Sequence, residues 1–359
     1  MKKFIFVGIL ILICNYSFAQ VKADTLKLDN PNSFSFALLP DVQNYVKYDY
    51  NQPVLELMTA WIADNTKNLN IKAALCTGDL VDQNECLVPP FPRFANITSK
   101  QQWNFVSKAF GRLDNIIPYI ISTGNHDYGY TRSETDNTHF PEYFTVERNN
   151  KFKESLVAVC NNRHGIPTLE NAAFEFNDSN WGKILIVAIE YGARDNVLEW
   201  VKNLSENEKF NEHTIIVITH SYLGAGDDAK LLGRDKYLME PLNGGTDIWE
   251  KLLNETKNIR LLICGHYAVP NEDFASNVGF KTTKNREGKE VYQMMFNAQA
   301  LGGGMSGNGG DGWLRILEFM PNGKSISVHT YSPLFGFSPK TKHLAEDKAP
   351  YNKFIFDIK

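Results

Sequence analysis

The sequence is short of every feature that would tie it to nucleic acid, to a bilayer span or to a cysteine-bound metal. Lys and Arg number 37 against 41 Asp and Glu, for a net charge of −4, and no basic block stands out. Nothing therefore favours a polyanionic partner. After the first twenty residues no apolar stretch is long enough to cross a membrane. Only five cysteines occur and none forms a Cys-x-x-Cys pair, which argues against a cysteine zinc site. No internal repeat and no linker is visible. The aromatics and the moderate charge argue against disorder.

What is present begins with an export signal. Lys2 and Lys3 precede an apolar run from Phe4 to Cys14, and Ser17-Phe18-Ala19 ends it with small residues at the −3 and −1 positions. Residues 1–19 are expected to be a signal peptide, which places the mature chain outside the cytoplasm, secreted or periplasmic. Residues 20–359 are expected to form a single domain with a sizeable core. Of the four cysteines left, Cys76 and Cys264 lie in apolar runs and are expected to be buried thiols. Cys86 and Cys160 lie in loop-like segments and are the better candidates for a disulfide.

The first half alternates strand and helix. Residues 33–39, 71–77 and 116–121 are apolar runs of strand length. Between them, Pro53 opens a helix with Leu55, Met58 and Ile62 at helical spacing, and residues 100–113 place Trp103, Val106, Phe110 and Leu113 on one face. This β-α-β-α-β order is that of a parallel sheet with right-handed crossovers. Residues 128–170 are polar with weak signals, and are expected to be an irregular cap or rim. Residues 172–176 and 183–189 read as a hairpin, and Asp195 as the N-cap of a helix carrying Val197, Leu198, Val201 and Leu204. Strands follow at 214–219 and 259–264, then terminal strands across 291–331, where a glycine-dense loop at 302–312 intervenes.

The informative residues sit where these runs stop. Asp41 with Gln43, Asp79, Asn125 with His126, His220 and His266 each lie just past an apolar run. Ligands gather at the carboxyl ends of strands in α/β sheets. Carboxylate, amide oxygen and imidazole together suit zinc, manganese or iron. One polar strand end is an ordinary turn, whereas five in one chain point to a shared metal site.

In this order the blocks Asp41-Val42-Gln43, Gly78-Asp79-Leu80-Val81-Asp82, Gly124-Asn125-His126-Asp127, His220 and Gly265-His266-Tyr267-Ala268 resemble those of the calcineurin-like metallophosphoesterases. The resemblance implies an α/β fold, a central β-sandwich of two mixed sheets flanked by helices, with two divalent metals at the strand ends. It implies that Asp79 bridges them, that Asn125, His220 and His266 complete one shell, and that Asp41 with Gln43 holds the other metal. It further implies hydrolysis of a phosphate mono- or diester by in-line attack of a metal-bridging hydroxide. His126 would assist catalysis without ligating, and Asp127 would fix its tautomer.

Two positions depart from that pattern. Gln43 stands where the family has a histidine, and Ala268 where it has the last histidine of Gly-His-x-His. Both losses fall on the Asp41 metal, so that site is expected to be weak, with His139 and His164 as possible substitutes. The alternative is a degenerate member that keeps one structural metal and binds a phosphorylated ligand or sugar without cleaving it. A sugar hydrolase with paired carboxylates would instead work without metal. Arg132, Arg163 and Arg194 are candidate phosphate contacts. Tyr128 and Tyr222 are candidate pocket walls, and specificity is expected to lie in 128–170 and 224–245.

Overall fold

The computed structural model describes residues 26–89, 95–226, 228–270 and 273–358. The expected signal peptide at 1–19 lies outside these residues. The chain opens with β1 (Phe34–Leu39), β2 (Ile71–Cys76) and β3 (Tyr119–Ile121). It then lays down β4 (Leu156–Asn161), β5 (Pro167–Asp178), β6 (Gly182–Ala188), β7 (Thr214–Ile218), β8 (Ile259–Cys264), β9 (Val278–Lys284) and β10 (Glu290–Phe296). It closes with β11 (Leu314–Phe319), β12 (Ser325–Tyr331), β13 (Glu346–Asp347) and β14 (Phe354–Asp357). The opening and closing strands make one sheet, in the order β13-β12-β11-β1-β2-β3, with β14 also on β12. The middle strands make the other, in the order β4-β5-β6-β7-β8-β10-β9.

Both sheets are mixed. β1, β2 and β3 run parallel, and β11 runs against β1. In the second sheet β6, β7, β8 and β10 run parallel, with β5 and β9 antiparallel beside them. The parallel strands are apolar on both faces because both faces are covered. Alternate residues Phe36, Leu38, Leu75 and Ile120 meet Ile186, Ile216, Ile218 and Ile263 in the core between the sheets. The intervening Ala37, Leu39, Ala74 and Cys76 pack on helices α1 (Gln43–Val46), α2 (Gln52–Asn65) and α3 (Ser99–Gly111). On the far side Leu185, Val187, Ile215 and Val217 pack on the last long helices, introduced below. The result is the expected β-sandwich flanked by helices.

Local chemistry fixes the helices. α2 begins with Pro53 in its first turn and buries Leu55, Met58 and Ile62. α3 is closed at its start by a capping box, in which the Thr98 N–H donates to Gln101 Oε1 at 2.9 Å and the Gln101 N–H to Thr98 Oγ1 at 3.3 Å. The region expected to be an irregular cap holds more structure than its polarity suggested. It contains α4 (Phe140–Tyr143), β4 and the first turns of β5. β4 is a Leu-Val-Ala-Val-Cys-Asn edge strand, half-buried along its length, with Leu156 and Val159 on one core and Val157, Ala158 and Cys160 on the other, so its polar flanks read as loop. α5 (Asp195–Glu206) starts at Asp195 itself, one residue earlier than a cap there would require, with Arg194 at the cap position, and the Asp195 carboxylate instead takes Asn243 Nδ2 at 2.8 Å and Lys251 Nζ at 2.7 Å. α6 (Gly245–Lys251) and α7 (Pro333–Phe337) complete the helices.

All four cysteines described are free thiols, so Cys86 and Cys160 are not bridged. Cys86 Sγ instead donates to the Val88 carbonyl at 3.1 Å, while Cys76 and Cys264 are buried as expected. The glycine-dense loop closes on Tyr45: the Gly312 N–H donates to its hydroxyl at 3.0 Å, and a Cβ on Gly309 would fall 2.4 Å from its ring. At the other end of the sandwich the incoming chain is pinned, since Glu318 accepts the N–H groups of Asp29 and Asn30 at 2.8 and 2.9 Å. Among the described residues no helix is long and apolar enough to cross a membrane.

Candidate metal centre

The loops after β1, β2, β3, β7, β8 and β10 meet at one edge of the sandwich. Their contact is close enough to dictate glycine. A Cβ on Gly124 would fall 2.2 Å from Asp79 Oδ1, and one on Gly265 would fall 2.1 Å from Asp41 Oδ1. Asp79 and His266 themselves adopt left-handed backbone, with φ of +49° and +65°. Such strain costs about 1–3 kcal/mol per residue and persists where surrounding structure imposes it, commonly at functional sites.

Four of the predicted residues converge there. Asn125 Oδ1 lies 3.0 Å from His220 Nε2 and 2.9 Å from His266 Nδ1, and the two ring nitrogens are 3.1 Å apart. Asp79 Oδ1 is 3.4 Å from His220 Nε2. The tautomers are set from outside. His220 Nδ1 faces the Thr77 carbonyl at 2.9 Å and so carries the proton, leaving the Nε2 lone pair inward. His266 Nε2 faces the Asp235 carboxylate at 3.6 Å, beyond hydrogen-bond length, and the nearby anion favours a proton on that nitrogen. Acceptors that meet pairwise need a cation or a proton between them. Bonds near 2.1 Å to one divalent ion would space its ligand atoms about 3.0–3.4 Å apart, as found.

The electrostatics agree. Burial opposes a charge on His220, yet the carboxylates of Asp79 and Asp41 push it up to about 10. Burial likewise opposes ionisation of Asp79, but the neighbouring His220 and His126 hold it below the usual carboxylate range. Burial pushes Asp41 up to about 7, against the pull of His220. The pocket is a place where positive charge is strongly favoured, and the residues present fit a bound divalent ion.

Asp41 is also at this edge, but its surroundings differ. Its Oδ2 accepts from the His266 N–H at 2.9 Å, Asn297 Nδ2 at 2.7 Å and Gln299 Nε2 at 3.3 Å. Its Oδ1 accepts from Thr77 Oγ1 at 2.9 Å. Gln43 Nε2 donates to Asp79 Oδ2 at 2.8 Å, and Gln43 Oε1 is buried without a partner. His139 is occupied by Glu142 at 2.6 Å and His164 is exposed, so neither takes the place of the missing histidines.

His126 stands beside the acceptor cluster. Its N–H donates to Asp79 Oδ1 at 3.0 Å, and its Nδ1 lies 2.7 Å from the Asp82 carbonyl. The tautomer of His126 is thus set by Asp82 and not, as expected, by Asp127. The Asp127 carboxylate takes the N–H groups of Gly124, Leu80 and Val81 at 2.7, 2.8 and 3.1 Å. It clamps the loop after β2 to the loop after β3, and a side chain so engaged has no reach to its neighbour's ring.

Several expected contacts resolve elsewhere. Arg163 and Arg194 turn to the buried Glu190, at 3.7 and 2.7 Å. Arg132 remains at the site, where its guanidinium meets the Tyr237 hydroxyl. That hydroxyl is 3.4 Å from Asn125 Nδ2. Tyr128 and Tyr222 are wholly buried, with hydroxyls on Glu170 and Gln293 at 2.8 Å each, and do not line the site. Sequence reasoning missed Tyr237, Asp235, Asn297 and Gln299. The last two follow β10, which ends at Phe296 inside the run expected at 291–298, and polarity just past an apolar strand was their one sequence signal. A cavity of about 810 Å³ is walled by Tyr267, the neighbour of His266 in sequence, and by Val269, Asp273, Phe280, Tyr351 and Phe354; the metal-side residues themselves do not line it.

The chain is similar to known proteins to differing extents. The family model described as Calcineurin-like phosphoesterase matches residues 34–270. The uncharacterized protein YvnB of Bacillus subtilis (strain 168) is 26% identical over 304 residues, which are 84% of this chain and 20% of YvnB. The chain thus spans about a fifth of the length of that curated relative. Among solved structures, PhoD is matched at a TM-score of 0.44 and 10% identity over 93% of this chain and 71% of PhoD. A structure titled "GAP50 the anchor in the inner membrane complex of Plasmodium" is matched at 0.41 and 13%, over 91% and 89%.

Proposed function

The chain belongs to the calcineurin-like phosphoesterase family, and we propose that it is an exported, metal-dependent hydrolase of phosphate esters. The observation that carries this is the convergence of Asp79 Oδ1, Asn125 Oδ1, His220 Nε2 and His266 Nδ1, with the His220 proton turned outward to the Thr77 carbonyl. These four residues would hold a zinc, manganese or iron ion. Such an ion supplies Lewis acidity and lowers the pKa of water at the phosphorus.

The protein's own groups do the rest. Phosphoryl transfer needs mainly positioning and charge neutralisation. With Nδ1–H fixed on the Asp82 carbonyl, His126 keeps Nε2 to hold or deliver a proton at the ester's leaving oxygen. Arg132 and Tyr237 supply a cation and a hydroxyl to the phosphate oxygens. The cavity at Tyr267, with its aromatic walls and its Asp273, suits the uncharged organic part of the ester. Export rests on the leader pattern of residues 1–19.

The test is to load the mature chain with zinc, manganese or iron and assay a chromogenic phosphate monoester and diester. Turnover that chelation abolishes and metal restores is expected. Turnover that survives chelation would overturn the reading. Metal binding with no turnover on any ester would favour the non-hydrolytic alternative.

A further inference from the structure

The two sides of the edge are built from opposite chemistry. We infer that this chain holds one metal ion, and that Gln43, Asn297 and Gln299 are positioning residues which take the place of a second. They anchor the Asp41 and Asp79 carboxylates by donated hydrogen bonds. This rests on the metal-dependent reading above.

The first support is saturation. A carboxylate has about four lone-pair directions. Asp41 Oδ2 receives three donors, from His266 N–H, Asn297 and Gln299, while Oδ1 receives one from Thr77 and packs against Gly265. Two of these cannot be reversed. The His266 donor is backbone. The Asn297 amide is oriented by its other end, because Asn297 Oδ1 accepts the Gln299 N–H at 3.1 Å. Turning that amide over would set an NH₂ group against a backbone N–H.

The second support is ligand supply. With Asp41 Oδ2 filled and Oδ1 turned to Thr77, the acceptors left on this side are Gln43 Oε1, which is buried and unpartnered, and the shared Asp79. A bound ion of this class takes four or more ligands. Ala268 contributes no side-chain donor atom. Even if Gln43 turned its oxygen inward, the set would stay short, and Asp79 Oδ2 would lose the donor that now holds it.

A hydrogen-bond cradle does part of what a second ion would do. It keeps two buried carboxylates in place and lets the Asp41 carboxylate hold the His266 backbone. It brings no further Lewis acid to the site. Asn297 and Gln299 therefore act through Asp41 and need not touch the substrate.

The test is metal counting by elemental analysis after loading with manganese, together with the electron paramagnetic resonance of the bound Mn(II). One equivalent per chain with an isolated Mn(II) spectrum is expected. Asn297→Asp replaces a donor by an anionic acceptor and is expected to raise the count to two, with a spin-coupled signal. Gln299→Glu serves as a second variant should the first fail to fold. Two equivalents with a coupled spectrum in the unmodified chain would overturn the inference while leaving the phosphoesterase reading standing. One equivalent without turnover on any ester would leave the inference standing and sink that reading. No bound metal would overturn both. A count that stays at one in both folded acidic variants would overturn the role given to Asn297 and Gln299.

Discussion

At one edge of one sandwich, His220 and Asp41 lie 3.8 Å apart and face opposite worlds. Around His220, Asn125 and His266, lone pairs point inward and the outward nitrogens face Thr77 and Asp235. Around Asp41, N–H and O–H groups point inward at an anion. The first arrangement is stable only with something positive at its centre. The second already has its charge answered. Ligand-type residues past strand ends are thus not equivalent, and only the direction of their protons separates a seat for a cation from a cradle for a carboxylate.

The contrast breaks most sharply at His220. His220→Ala should strip the metal and lower kcat/KM by about a thousandfold or more, read by elemental analysis and ester hydrolysis. Retained metal with normal turnover would place the cation elsewhere. His126→Ala belongs to neither side and should lower kcat by about a hundredfold or more with the metal count unchanged. Loss of metal would make His126 a ligand.

Protons sharpen the contrast further. In the metal-free chain His220 is raised from 6.5 to about 10, so it is protonated at neutral pH. Binding an ion displaces that proton, and apparent affinity should climb about tenfold per pH unit through the neutral range. A flat profile in titration calorimetry would show Nε2 already bare. The sign for folding is opposite. The raised value stabilises the metal-free fold fully below 6.5, and that share is lost as pH rises toward about 10.

On the donor side, Thr77→Val removes the hydroxyl on Asp41 while keeping shape. It should cost about 1–3 kcal/mol in denaturant unfolding without changing the metal count. The smallest effect is expected in the cavity, where Tyr267→Ala should raise KM a few-fold with kcat little changed. A loss confined to kcat would put Tyr267 in the chemistry.

The sandwich, its parallel strands and the convergence of residues on the candidate metal side were legible because apolar runs of strand length end in unusual residues. Asp79, Asn125, His220 and His266 each declare themselves that way. What stayed hidden depends on direction and partnership, which sequence order does not carry. β10 runs parallel to β8, so Asn297 and Gln299 reach the same edge, but amides past a late strand look like loop. Asp127 sits beside His126 in sequence, yet its carboxylate is turned to three backbone N–H groups, and the ring is held from 44 residues away by Asp82. Cys86 lies in a loop and Cys160 in β4, so the loop-like sequence around each said nothing of the distance between them.

The pin at Glu318 has a consequence for how the molecule is presented. β1 runs from the end where Asp29 and Asn30 are fastened to the end where Asp41 enters the site. The fastened Asp29 and Asn30 therefore lie at the pole opposite the candidate metal edge. Held to a surface by that pole, the protein would turn its site outward, and a large phosphorylated substrate would meet it from the open side without having to pass the support.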